Sequence, residues 1–286
     1  MSENAEKNAV LKQTLYLVAT PIGNMSDITE RAVKVLSEAD FIAAEDTRKT
    51  GLLLNRLGIS SELISYYDHN KEEKGSKIIE RIKNGESCAL VTDAGTPAIS
   101  DPGEDLVKIA IENGIRVISI PGACAAIAAI TVSGLTAGRF VFEGFLPTDN
   151  KKRRERLVEL ARESRTVILY EAPHRIRKTL TELLNSLGDR KISLCREMTK
   201  LNEEIIRTSL SAAIDYYEEK EPRGEYVLIL EGSSTGKDSD YPESITEHVD
   251  CLISTGLSRM DAIKAAAKIR GVPKSSIYDE YTGRKQ

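Results

Sequence analysis

The sequence predicts an α/β fold, with two α/β domains followed by a small helical one. Three observations carry this. Short apolar runs alternate with amphipathic stretches of helical period from Thr14 to Gly232. The early runs are apolar on both faces, as strands covered by helices on both sides are. Most of them end in loops dense in Pro, Gly, Asp and Thr, where open α/β sheets bind their ligands.

Taken in order, residues 1–13 read as a loose, disordered polar N-terminus. Thr14–Thr20 is a buried parallel strand, broken by Pro21-Ile22-Gly23-Asn24. A helix is predicted from Asp27, with Glu30 as its capping-box partner and Ala32, Val35 and Leu36 in its buried stripe. Phe41–Ala44 is a strand ending in Glu45-Asp46-Thr47-Arg48, which reads as a charge network or a helix cap. Leu63–Tyr67 runs into Asp68-His69-Asn70, and a polar helix covers Lys71–Lys83. Cys88–Thr92 ends in the turn-rich segment Asp93–Gly103, where Asp101 is a candidate N-cap with Pro102 at the first helical position. The helix Glu104–Asn113 and the strand Arg116–Ile120 follow.

After the apolar helix Ala123–Ser133 comes a second series. Its strands are Phe140–Gly144, Thr166–Tyr170, Ile192–Arg196, Glu204–Thr208 and Tyr226–Glu231, and the close spacing of the late ones predicts a mixed sheet. The expected division is 14–122 and 123–232 for the α/β domains, 233–244 for a linker, and 245–286 for a helix-turn-helix-like domain.

Hydrophobic residues make up 41% of the 286, enough for a substantial core. Lys plus Arg is 40 against 44 for Asp plus Glu, and the net charge of −4 excludes a globally basic nucleic-acid binder but not a local patch. Trp is absent and aromatics are 5%, which disfavours a base-stacking platform of many aromatics. Cys88, Cys124, Cys195 and Cys251 are scattered, as are His69, His174 and His248. No metal-ligand spacing occurs, so no metal is expected, and a reducing cytoplasm is the natural compartment. No apolar run is long enough for a bilayer, so no membrane partner is expected.

No loop carries a dinucleotide or Walker A fingerprint. Asp93–Gly103 has the character of a backbone-reading loop, suited to an adenosine or amino-acid moiety. Lys151-Lys152-Arg153-Arg154-Glu155-Arg156 is either a solvated helix start or a phosphate-binding patch.

These motifs together resemble a known family. Leu15–Thr29 with its Pro21-Ile22-Gly23-Asn24, Ala43–Arg48, Asp68-His69-Asn70, Val91–Gly103, Glu143–Pro147, Tyr170–Arg175, Arg196–Lys200 and Gly224–Glu231 occur in that order. They resemble the ribosomal RNA small subunit methyltransferase I family, of the tetrapyrrole-methylase-like superfamily. The resemblance implies two α/β domains with an S-adenosylmethionine site between them, usually in a homodimer. It implies 2′-O-methylation of a cytidine ribose in the decoding region of 16S rRNA. By motif it assigns Pro21, Ile22, Gly23, Asp93, Gly95, Thr96, Pro97, Ile99, Cys124, Ala125, Glu171 and Met198 to the donor. Methyl transfer to a ribose hydroxyl calls for alignment and a proton acceptor. Asp93, Glu197 and His174 are the candidate bases, with Arg48, Arg175 and Lys200 as candidate phosphate or alkoxide stabilisers. The rival readings are a porphyrin-type small-molecule C-methyltransferase and a non-catalytic RNA-binding ribosome-assembly factor.

Overall fold

In the structure, a computed structural model, residues 9–67, 71–233, 244–254 and 257–283 are described. Asp68-His69-Asn70, residues 1–8 of the N-terminal segment, 234–243 of the expected linker, and the tail cations Arg284 and Lys285 lie outside the described residues. The chain divides into two compact units. One holds 1–133, 194–206 and 224–227, and the other 134–193, 207–223 and 228–286.

In the first unit, β1 (Thr14–Val18), β2 (Phe41–Ala44), β3 (Glu62–Ser65), β4 (Cys88–Val91) and β5 (Arg116–Ile120) form one sheet in the order β3-β2-β4-β1-β5, with every pairing parallel. Successive side chains of a strand point to opposite faces. Phe41, Ala43, Cys88, Leu90 and Leu15 therefore enter one core, with Ile78, Ile79 and Ile82 of α3 (Lys71–Lys83) and Leu106 and Ala110 of α4 (Glu104–Glu112). Ile42, Ala44, Ala89, Val91, Tyr16 and Val18 enter the other, with Ala32, Val35 and Leu36 of α1 (Glu30–Glu38) and Leu54 of α2 (Thr47–Leu57). The doubly apolar strands of the sequence are thus explained by helices on both faces. The apolar helix α5 (Ala125–Val132) closes this series.

The start of α1 and the cap of α4 differ from the sequence reading. Met25–Asp27 forms a 3-10 turn capped by Asn24, and Ile28 is extended, so α1 begins only at Glu30. Its cap is Thr29, whose hydroxyl accepts from Ala32 N at 3.1 Å. Asp101 does not cap α4. Gly103, at φ +140, stands at that position without a side-chain bond, because the carboxyl of Asp101 meets the Thr92 hydroxyl instead. For Asp46 the cap reading describes the geometry, since it accepts from Arg48 N at 2.9 Å and begins α2, a helix the sequence reading stopped short of.

The second sheet comprises β6 (Phe140–Phe145), β7 (Thr166–Glu171), β8 (Lys191–Arg196), β9 (Glu204–Ser209) and β10 (Tyr226–Leu230), in the order β6-β7-β10-β8-β9. The residues of β8, β9 and β10 are divided between the two units. β6 and β7 are parallel. Glu231 N donates to Lys191 O at 2.9 Å and Glu197 N to Glu225 O at 3.0 Å, so β8 and β10 meet antiparallel and the sheet is mixed. Helix α7 (Ile176–Leu187) packs against α6 (Asn150–Arg162) and α8 (Leu210–Glu219), burying Ile176, Leu180, Leu183 and Leu187.

The C-terminal segment folds as α9 (Ile245–Ser254), α10 (Arg259–Arg270) and α11 (Lys274–Tyr281) around Val249, Ala262, Ile263, Ala266, Ala267 and Ile277. Ser258 caps α10 and left-handed Gly271 ends it. His248 is buried in α9, and its Nδ1 accepts from Arg270 Nε at 3.0 Å, which requires neutral imidazole. Burial first, and the Arg270 charge second, lower its pKa. The unfolded chain therefore takes up a proton before the folded one as pH falls, and stability is lost below the ordinary histidine value. Lowering the pH from about 7.5 to about 5.5 is expected to expose the segment 244–283 to limited proteolysis, and His248→Gln is expected to flatten that dependence.

Candidate functional site

Four loops follow the carboxyl ends of β1, β2, β4 and β5, where parallel sheets present their ligand sites. Two backbone hydrogen bonds join the first loop to the third. Thr20 N donates to Gly95 O at 2.9 Å and Gly95 N to Thr20 O at 3.0 Å. Gly95 adopts φ +87, and a Cβ there would come within 3.2 Å of Ile22 Cγ2. Thr96 Oγ1 donates to Ala123 O at 3.1 Å and ties in the fourth loop. The segments Pro21-Ile22-Gly23, Gly95-Thr96-Pro97 and Cys124-Ala125 are thereby held in one loop cluster. Ile99 is exposed between Ala98 (φ +65) and Ser100 (φ +62). Left-handed conformations at non-glycine residues cost on the order of 1–3 kcal/mol each and gather at functional sites.

Between β2 and β4 lies a carboxyl cluster. Thr92, fully buried, donates its hydroxyl proton to Glu45 Oε2 at 2.6 Å, and Asp93 N donates to the same oxygen at 3.3 Å. Lys49 Nζ pairs with Asp93 Oδ2 at 2.6 Å, while Asp93 Oδ1 is buried with no hydrogen-bond partner among the described residues. The Asp93 carboxylate raises the pKa of Lys49. One hydroxyl proton at Thr92 cannot serve two ionised carboxyls. Burial, with the Glu45 charge behind it, raises the pKa of Asp101 to about 6. Arg48 is exposed and forked onto its own cap, with Nη2 2.8 Å from Asp46 Oδ2, and this holds Asp46 well below the usual carboxylate range.

The turn after β8 also belongs to the first unit. Glu197 (φ +52) and Thr199 (φ +67) are both left-handed. Glu197 Oε1 accepts from Glu225 N at 3.0 Å and from Lys200 Nζ at 2.9 Å, and Lys200 Nζ also reaches Glu225 Oε2 at 2.8 Å. Burial pushes the Glu197 pKa up, but the Lys200 ammonium and the Glu225 N–H outweigh it and the net shift is downward. A Cβ at Gly224 would sit 2.5 Å from Glu197 Cγ, and one at Gly23 would sit 2.3 Å from Lys200 Cγ and 3.2 Å from Thr199 Oγ1. The Lys200 stem therefore lies directly on Gly23. Met198 is buried in this turn, and Thr199 Oγ1 is buried without a partner among the described residues.

Glu171, His174 and Arg175 belong to the second unit. Glu171 is buried at the end of β7 and accepts from Thr179 Oγ1 at 2.5 Å and from Ala172 N at 3.0 Å. Arg175 Nε lies 3.2 Å from Glu171 Oε1, and its Nη2 donates to Leu146 O at 2.9 Å. His174 is exposed on a 3-10 turn. The basic run of α6 divides in two. Arg153 is buried, donating to Glu182 Oε2 at 2.6 Å and Thr179 Oγ1 at 2.7 Å, and Arg156 is paired with Glu143 and Glu159. Lys151, Lys152 and Arg154 are exposed.

Sequence reasoning missed Glu45, Thr92 and Asp101 as partners. The signal lies only in strand order, which sets β2 beside β4 and brings together residues 47 positions apart. Among the described residues no group of His, Cys, Asp and Glu is arranged to hold a metal ion, and no helix is long and apolar enough to cross a membrane. The raised Asp101 pKa means that its contribution to stability is full below about 4 and lost as pH rises through about 6. Asp101→Asn is therefore expected to raise the melting temperature by a few degrees at about pH 8, with the gain closing towards about pH 4 in a thermal-denaturation series.

Comparison with known proteins bears on what this loop cluster binds. The family model for Tetrapyrrole (Corrin/Porphyrin) Methylases matches residues 14–214. A protein of Halalkalibacterium halodurans named ribosomal RNA small subunit methyltransferase I is 48% identical over 94% of this chain and 95% of its own length. Proteins of the same name from Bacillus subtilis and Escherichia coli O157:H7 are 46% and 43% identical, over 93% and 92% of this chain and 93% of each relative. Among solved structures, uroporphyrin-III C-methyl transferase from Thermus thermophilus, complexed with S-adenosyl homocysteine, superposes with a TM-score of 0.56 at 20% identity, covering 76% of this chain and 97% of that one. Diphthine synthase superposes with a TM-score of 0.58 at 15% identity, over 76% of this chain and 90% of that one. At these identities the two structures establish the fold.

Proposed function

The chain belongs to the ribosomal RNA small subunit methyltransferase I family, within the tetrapyrrole methylases, and from that premise we propose that it methylates the ribose 2′-oxygen of a cytidine in the decoding region of 16S rRNA. The observation that carries the reading is the near full-length identity with relatives of that name. The proposed methyl donor is S-adenosylmethionine, and the proposed working form is a cytoplasmic homodimer.

When bound, the donor supplies a methyl group activated by its sulfonium. The residues proposed to hold it are Pro21, Ile22, Gly23, Gly95, Thr96, Pro97, Ile99, Cys124, Ala125 and Met198. The fit rests on a cluster of backbone loops closed by glycines and on the buried Thr199 hydroxyl over Gly23, which has no partner among the described residues. A ligand carrying ammonium and ribose hydroxyl groups answers such a setting.

A ribose hydroxyl is a weak acid, and Asp93 is the proposed acceptor of its proton at Oδ1. Among the described residues that oxygen has no other partner, while Lys49 on Oδ2 and Glu45 on the Asp93 N–H hold the carboxylate in place. Glu197 is not chosen, because its carboxylate is committed to Lys200 and Glu225 N. Lys200 acts as a positioning residue over Gly23. Arg48 and His174, both exposed, are proposed to meet RNA, and Arg175 to hold the Leu146 carbonyl in place. Lys151, Lys152, Arg154 and the basic residues of α10 and α11 supply local positive charge to a chain of net charge −4. A porphyrin-like acceptor would leave exposed Lys151 and Lys152 and the C-terminal helices without a role.

Two measurements test the reading. Tritium from labelled S-adenosylmethionine should appear on one ribose 2′-oxygen of small ribosomal subunits prepared without this protein. Label elsewhere, or none with donor bound, overturns the acceptor. Asp93→Asn should slow single-turnover transfer by about 100-fold or more while donor affinity changes little, and an unchanged rate removes Asp93 as the base.

A further inference from the structure

In the reading above the motif Glu143–Pro147 enters only through the Leu146 carbonyl and the exposed end of the Lys151 run only as local positive charge, and both sit at one end of the second sheet. Three of the four phenylalanines of the chain lie on β6. In a regular strand Phe142 and Phe145, three residues apart, would point to opposite faces. β6 is not regular. Its register with β7 runs Phe142 to Ile168, then Gly144 to Leu169 and Phe145 to Tyr170, with Glu143 as the extra residue. Gly144 takes φ +69 at this bulge. A bulge of this kind re-aims the side chains beyond it. Here it brings Phe142 and Phe145 onto the same neighbour, with ring centroids 5.2 Å and 5.6 Å from Tyr170, both edge-to-face.

The arrangement is pinned and open at once. Glu143, the bulged residue, is almost fully buried and pairs with Arg156 of α6. The neighbouring Leu146 carbonyl is held by Arg175, which also pairs with Glu171. Yet Phe145 at the tip keeps 52% of its surface exposed. Lys151 and Lys152 follow on the exposed first turn of α6, their backbone N–H groups already taken by the Asp149 cap. A rigid, half-exposed ring followed by cations is the combination that single-stranded nucleic acid requires, since bases stack on aromatic faces and phosphates seek Lys and Arg.

We propose that Phe145, backed by Tyr170 and Phe142, is a stacking platform for one unpaired RNA base, with Lys151 and Lys152 meeting the adjoining phosphates. This rests on the RNA-acceptor reading and adds to it a base contact apart from the methylated ribose. The few aromatics of the composition do not oppose it, because the bulge concentrates three of them at one strand end.

The test uses the full chain and a single-stranded RNA dodecamer carrying one 2-aminopurine, whose fluorescence is quenched by stacking. Wild type is expected to bind with quenching. Phe145→Ala should weaken binding by about tenfold and abolish the quench, Phe145→Tyr should keep both, and Phe145→Leu should lose the quench although it keeps apolar area. Lys151→Ala with Lys152→Ala should lower the salt slope of binding by about 2. Binding without quenching in wild type, or an unchanged affinity in Phe145→Ala with its melting temperature preserved, overturns the platform. So does a shift of Phe145→Ala from dimer to monomer in sedimentation, which would make this face a contact between copies. Methyl transfer by wild type to ribosomal subunits reports separately on the acceptor. Quenching without transfer sinks the acceptor reading alone, and transfer without quenching sinks the platform alone.

Discussion

The reciprocal pair of backbone hydrogen bonds between Thr20 and Gly95 is the constraint on which the loop cluster depends. Strand order sets β1 beside β4, and these two bonds carry that adjacency past the end of the sheet. They require Gly95 in a left-handed conformation, which places Ile22 against it and leaves Thr96 to reach the Ala123 carbonyl. Three loops then support one another through main chain and small side chains. The polar groups that remain, such as Asp93 Oδ1, are therefore held in place without a partner among the described residues.

The turn at Glu197–Lys200 works on a different principle. Two left-handed non-glycine residues are strained, and the turn is held by one carboxylate that binds both a backbone N–H and an ammonium. Gly224 is required because Glu197 occupies the space that a Cβ would fill. A side chain that secures its own turn in this way is a poor proton acceptor. The geometry separates Glu197 from Asp93, although both are acids in loops after strands.

Charge shows the same distinction between count and availability. Arg81 is spent on Glu62 and Glu86, Arg153 on Glu182 and Thr179, Arg156 on Glu143 and Glu159, and Arg165 on Glu163. Such pairs place the backbone they connect more than they add to stability at the surface. The positive charge open to an RNA is thus local, and a net charge near zero says little about it.

Local chemistry in the sequence was enough to determine the strands, most helix spans and the family motifs. Apolar period, turn residues and capping side chains act over a few positions and need no knowledge of the fold. The start of α1 escaped it because an extended Ile28 intervened, and the cap of α4 because Asp101 found a partner outside its own segment. Only tertiary structure decided the carboxyl cluster of Glu45, Thr92, Asp93 and Asp101, the burial of Arg153 beside exposed Lys151, Lys152 and Arg154, and the bulge that gathers Phe142, Tyr170 and Phe145. Each depends on which strand lies beside which and in what register. That choice is made by the packing of whole sheets, and no window of local sequence contains it.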